Sequence, residues 1–123
     1  MLIHGEITEG IISSFYEVYN MLGYGFLEKV YENALALELV RNGFEVQTQL
    51  PIPVYYANQQ VGQYYADLLV NEKVIVEIKA AKDLCEEHEF QLINYLKATN
   101  CEVGLLLNFG RKPQFKRKIF QNL

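Results

Sequence analysis

Tryptophan is absent from this chain of 123 residues, and two cysteines with two histidines are too few to assemble a soft-metal cluster. Cys85 and Cys101 have no CxxC partner, so zinc is not expected. No apolar run approaches the length of a bilayer span, and Met-Leu-Ile-His-Gly-Glu at the N-terminus has no basic region leading into an apolar core. The expectation is a cytoplasmic protein with reduced thiols and no membrane association. There is no internal repeat and no linker rich in Pro, Gly or Ser, which points to one domain over residues 1–123. A net charge of −4 excludes a surface that is basic all over. A phosphate-cradling nucleotide loop is also missing: Gly23-Tyr24-Gly25 follows a helical segment rather than a strand, and Glu28 stands where a third glycine would be needed.

What remains is a chain that is half hydrophobic and 13% aromatic, a composition that supports a packed core. From Glu6 to Leu22 the residues Ile7, Ile11, Phe15, Val18 and Leu22 recur at helical spacing, and Gly23 supplies a stop. A second helix is expected from about Leu27 to Asn42, with Leu27, Val30, Tyr31, Ala34, Leu37 and Val40 as its core stripe and Gly43 after it. The period then falls to two: Phe44, Val46, Thr48 and Leu50 alternate with Glu45, Gln47 and Gln49. Pro51 and Pro53 place the second half of that segment at an edge or a bulge. Turns at Ala57-Asn58-Gln59-Gln60 and Asn71-Glu72-Lys73 set off two more strands, Val61 to Val70 and Val74 to Lys79. Glu86 to Thr99 reads as a third helix with Phe90, Ile93 and Leu96 inward and Asn100 near its end. Val103 to Phe109 is an apolar strand that a right-handed crossover sets parallel to Val74 to Lys79. Gln114 to Phe120 adds an edge strand or a helix. The order is α-α-β-β-β-α-β, an α/β (α+β) fold with a mixed β-sheet and helices on both faces.

Two charges end a strand that its apolar run marks as buried. Glu77 and Lys79 lie two apart and so share a face, and an ionised group in a low-dielectric interior costs several kcal/mol unless it is paired or binds a metal. Asp67 likewise sits where an aliphatic side chain would pack better. If Asn71-Glu72-Lys73 is a three-residue loop, Val70 pairs with Val74 and Asp67 falls opposite Glu77. The two carboxylates then share a face and can hold a hard divalent cation beside a nucleophilic water. A two-residue loop sends Asp67 to the other face, and a plain Lys79–carboxylate ion pair is the simpler alternative.

Glu28, in the first turn of its helix, is either a further acidic ligand or a favourable partner for the helix dipole. Gln91 and Tyr95 are one turn apart on the third helix, with His88 a turn earlier, and either orient a phosphate or a base or decorate an ordinary amphipathic helix. Five cations crowd the last thirteen positions, Arg111, Lys112, Lys116, Arg117 and Lys118, so a phosphate-binding surface would be local; the alternative is an edge strand protected by charge.

Taken together these residues resemble a known family. Gly25-Phe26-Leu27-Glu28-Lys29-Val30-Tyr31 matches the pattern of the GxxExxY proteins, small members of the PD-(D/E)XK nuclease-like superfamily, and Asp67, Glu77-Ile78-Lys79 and Gln91-Leu92-Ile93-Asn94-Tyr95 follow in the superfamily's order. The resemblance implies a restriction-endonuclease-like core and a metal-dependent nuclease acting on nucleic acid, DNA more than RNA. It implies Mg2+ or Mn2+ bound by Asp67, Glu77, the Ile78 backbone carbonyl and Glu28, with Lys79 assisting the attacking water. Gln91 and Tyr95 would align the substrate, and the basic tail would meet its backbone. Ala66 stands where the superfamily name has proline. The alternative is a non-catalytic nucleic-acid or protein interaction module that keeps the fold. A chain this short would build a substrate channel with a second copy or a partner protein.

Overall fold

The computed structural model describes residues 2–121. Helices α1 (Gly5–Leu22) and α2 (Glu28–Arg41) precede three strands, β1 (Val46–Tyr56), β2 (Gln59–Val70) and β3 (Val74–Lys79). Helix α3 (Glu86–Lys97), β4 (Val103–Phe109) and β5 (Pro113–Ile119) complete the order. The sheet runs β1-β2-β3-β4-β5, antiparallel except for the β3–β4 pair, which α3 connects as a parallel crossover. The tail is therefore a strand, β5, on the sheet edge, and β1 with its two prolines is the opposite edge.

β3 and β4 are covered on both faces, which is why residues 74–76 and 103–107 read as apolar runs. On one face Ile11, Phe15, Tyr31, Leu35 and Leu39 from α1 and α2 meet Leu68, Val76, Ile78, Leu105 and Leu107. On the other, Leu92, Tyr95 and Leu96 of α3 meet Ile52, Ala66, Ile75 and Leu106. α3 lies so close to β4 that a Cβ on Gly104 would come within 2.7 Å of Leu92 Cδ1.

Three expectations about which side chains face inward change. On α2 the buried line is Tyr31, Leu35 and Leu39, while Leu27, Val30, Leu37 and Val40 are exposed. This helix carries apolar residues on two sides, so spacing alone selects the wrong one. On α3 the core positions are Leu92, Tyr95 and Leu96, whereas Phe90 is 62% exposed.

The third change lies in the β1–β2 ribbon. Leu68 and Val70 pack under α1 and α2, but Ala66, two residues from Leu68, packs under α3, so the alternation slips by one residue at Asp67. Across the ribbon the paired positions run Thr48↔Leu68 and then Leu50↔Ala66, and the intervening Gln49 has φ +53°. A left-handed residue in mid-strand is strained for anything but glycine, by about 1–3 kcal/mol. The slip turns the outer half of the ribbon against α3 and puts Asp67 at the turning point.

Candidate active site

The Asn71-Glu72-Lys73 loop is the three-residue kind: Val70 pairs with Val74 and Leu68 with Val76. One step further the ladder opens, and Asp67 and Glu77 exchange side-chain for backbone bonds. The Asp67 N–H donates to Glu77 Oε2 at 2.7 Å, and the Ile78 N–H donates to Asp67 Oδ2 at 2.8 Å. Each carboxylate thereby holds the other's strand apart at the point where the sheet splits, and each is left with a second oxygen. Glu77 is 5% exposed and Asp67 half-buried.

Their electrostatics arise from this placement. Burial pushes Glu77 up to about 8 from 4.5, with the neighbouring Asp67 charge adding to it and the Asp67 N–H opposing it. Asp67 rises from 3.8 to about 6, again chiefly by burial, against the Ile78 N–H. The charges of Glu32 and Glu28 raise Asp67 further, and Glu28 also raises Glu77. Lys79 lowers both, but its Nζ donates to Gln91 Oε1 at 3.5 Å, and among the described residues no ion pair joins it to either carboxylate. Gln91 Nε2 donates to the Tyr95 hydroxyl at 3.0 Å, so the phenol hydrogen is free for another acceptor. Burial first, then the two carboxylates, raise Tyr95 to about 12, which keeps it a neutral donor.

Glu28 opens α2, exposed, and its place depends on Tyr31. That buried hydroxyl donates to the Gly23 carbonyl at 2.7 Å and accepts from the Phe26 N–H at 3.2 Å, while its ring stacks on Phe109 with centroids 4.3 Å apart. The glycine, glutamate and tyrosine at 25, 28 and 31 thus form one device, a loop pinned so that the helix starts facing the carboxylates. Tyr31→Phe leaves a carbonyl and an N–H without their partner and should lower stability by about 1–3 kcal/mol. Urea denaturation measures this, and an unchanged midpoint would show the lock to be idle.

Two participants had escaped the sequence. Glu32, one turn beyond Glu28, is buried, accepts from Lys29 Nζ at 2.9 Å and takes the Gln49 amide on both oxygens at 3.1 and 3.1 Å. The strained Gln49 is therefore spent on holding a carboxylate beside Asp67. Asn108, paired with Lys79 in the β3–β4 register, accepts from the Ala81 N–H at 2.9 Å and donates to its carbonyl at 3.0 Å. That grips the chain just after Lys79. Gly110 belongs to the same grip, since a Cβ there would meet the Ala81 carbonyl at 2.4 Å. A second glutamate one helical turn after Glu28 was the available signal for Glu32; an asparagine in an apolar strand was the signal for Asn108.

The remaining sequence candidates disperse. His88 does not join Gln91 and Tyr95; its Nδ1 accepts from the Cys85 N–H at 3.3 Å at the start of α3. Strand alternation splits the basic tail. Lys118 pairs with Glu89 of α3, and Arg117 donates to the Ile3 carbonyl at the foot of α1, while Arg111, Lys112 and Lys116 are exposed. The Arg111 guanidinium lies 5.8 Å from the Tyr24 ring centre beside a cleft of about 470 Å3 that runs past Ala80, Ala81 and Lys82.

Among the described residues no three acidic, histidine or cysteine groups form a ready-made metal cage. What suits a hard cation is the donor chemistry: two neighbouring carboxylates, both raised by burial, with Glu77 raised further by the Asp67 charge and Asp67 by acidic charge from α2. No helix is long and apolar enough to cross a membrane among the described residues.

A family model described as the PD-(D/E)XK nuclease superfamily matches residues 5–118. No curated protein matches. Among solved structures, SSO0001 is similar in fold, with a TM-score of 0.62 at 20% identity over 95% of this chain. The chain spans 59% of the length of that protein.

Proposed function

This chain belongs to the PD-(D/E)XK nuclease superfamily, and from that premise we propose that it hydrolyses phosphodiester bonds of nucleic acid, DNA in preference to RNA, with Mg2+ or Mn2+. The observation that carries the reading is the Asp67–Glu77 pair, with Glu77 buried and raised by the charge of a half-buried Asp67, and Lys79 two residues from Glu77. The finer placement is among the GxxExxY proteins, supported by the positions of Glu28 and Tyr31.

Asp67, Glu77 and the Ile78 carbonyl would hold the cation, with Glu28 joining directly or through water. Bound there, the ion supplies positive charge that polarises the phosphodiester and makes water a better nucleophile. Lys79 Nζ, steered by Gln91, orients or deprotonates the attacking water and offsets charge growing on the phosphoryl oxygens. The Tyr95 hydroxyl donates to a non-bridging oxygen. Arg111, Lys112 and Lys116 neutralise backbone phosphates and Arg117 adds to the field at longer range, while Lys118 is offset by Glu89.

The test is a panel of linear, nicked, branched and single-stranded DNA, with RNA alongside, incubated with the purified protein. Cleavage should appear on adding Mn2+ and vanish with EDTA. DNA bound but never cut at any Mn2+ concentration would leave a non-catalytic binding module.

A further inference from the structure

A groove of about 830 Å3 lies between the outer half of the β1–β2 ribbon and α3. Its walls are aromatic: Tyr55 and Tyr64 from the ribbon, Phe90 and Tyr95 from α3, with the Gln91 and Asn94 amides between them. Tyr55, Tyr64 and Phe90 are 62%, 51% and 62% exposed, a large apolar area to leave open to water. Tyr64 sits opposite Ile52 in the ribbon and tilts against Tyr95 with ring centres 5.8 Å apart. Gln91 and Tyr95 line this groove and also meet the site, since Gln91 accepts from Lys79. The groove is therefore continuous with the candidate active site.

Resting on the nuclease reading above, we propose that this groove holds an unpaired stretch of DNA, its bases stacked on Tyr64 and Phe90, with the strand leading to the Asp67–Glu77–Lys79 site. Charge decides between a single strand and a duplex. From residue 42 to residue 72 the chain has no lysine or arginine, so the ribbon offers nothing to neutralise the second phosphate backbone that a duplex would bring. Bases need no cation. They need flat faces, and stacking on an aromatic side chain contributes about 1–3 kcal/mol per base whatever the sequence. Lys97 and Glu87 both lie at the groove's wall and offset each other, so its hold on a strand rests on the rings and not on charge.

The experiment uses the full chain in EDTA with a dye-labelled oligothymidylate, the same length of duplex, and oligouridylate, read by fluorescence anisotropy. Tyr64→Ala and Phe90→Ala should each weaken oligothymidylate binding by about 5-fold to 100-fold, while Tyr64→Phe and Phe90→Tyr keep the ring and the affinity. Phe90→Ala should leave Mn2+-dependent hydrolysis of bis(para-nitrophenyl) phosphate unchanged, because Phe90 lies outside the Asp67–Glu77–Lys79 site, whereas Tyr64 packs on Tyr95 and is read by binding alone. Unaltered oligothymidylate affinity in both alanine variants overturns the proposal, as does an equal loss for duplex or equal binding of oligouridylate. A shift of sedimentation from dimer to monomer with DNA affinity intact would assign the groove to a second copy and overturn it too. If the wild type hydrolyses neither substrate yet the variants lose oligothymidylate, the groove stands and the hydrolase reading falls.

Discussion

Glu77→Gln should make the metal-free protein more stable at pH 8, by about 2–4 kcal/mol, while removing its activity. The sign comes from the direction of the shift. Glu77 holds its proton up to about 8 in the folded protein against 4.5 for an ordinary glutamate, so the folded state favours the protonated form. Its contribution is intact below pH 4.5 and is lost progressively as pH rises through 8, at about 1.4 kcal/mol for each unit between the two values. Glutamine keeps an oxygen to accept the Asp67 N–H and never ionises. The stability gap between variant and wild type therefore opens between pH 4.5 and pH 8 and is near zero at pH 4. Saturating Mn2+ should reverse the order, because only the wild type gains stability from binding. Thermal melts across pH, with and without Mn2+, read both effects, and a variant less stable than wild type at pH 8 in EDTA would refute the assigned burial cost.

Lys79→Ala should lower cleavage by about 100-fold to 10,000-fold, the range for a positioned proton-transfer group. Mn2+ affinity should hold within severalfold, since Lys79 pairs with neither carboxylate and its nearest partner is Gln91. Lys79→Arg separates charge from proton transfer: the guanidinium keeps the positive charge but does not give up a proton. Arginine should therefore restore little. Single-turnover cleavage with Mn2+ measures this, and undiminished cleavage by the alanine variant would remove Lys79 from the chemistry.

Much of this site was visible in the sequence because its decisive element is a register. The loop Asn71-Glu72-Lys73, with Asn71 and Glu72 at positive φ, sets Val70 against Val74, and two-residue counting then brings Asp67 to Glu77. The central strands were equally legible, since β3 and β4 are buried on both faces and show it as apolar runs over residues 74–76 and 103–107. The helix faces were harder. On α2, Val30 and Leu37 compete with Tyr31 and Leu35 for the core, and only packing against Phe109 and the sheet chooses between them. Phe90 looked like core because an exposed phenylalanine and a buried one have the same letter. The slip at Gln49 and Asp67 has no local signature either, because nothing about a glutamine marks a left-handed backbone in a strand. At that point the Gln49 amide is held on the carboxylate of Glu32. Glu32 and Asn108 were missed for a related reason: their importance lies in contacts to Gln49 and Ala81, distant along the chain.

The shared cation is most directly tested by calorimetric titration of the wild type and Asp67→Ala with Mn2+ at pH 7, in two buffers of different ionisation enthalpy. The wild type should bind saturably with a heat that differs between buffers, because the ion displaces a proton that burial and repulsion keep on the carboxylate pair. Asp67→Ala should give no saturable heat. Absence of saturable Mn2+ heat in the wild type, or equal binding by the variant, would rule out a cation held between Asp67 and Glu77.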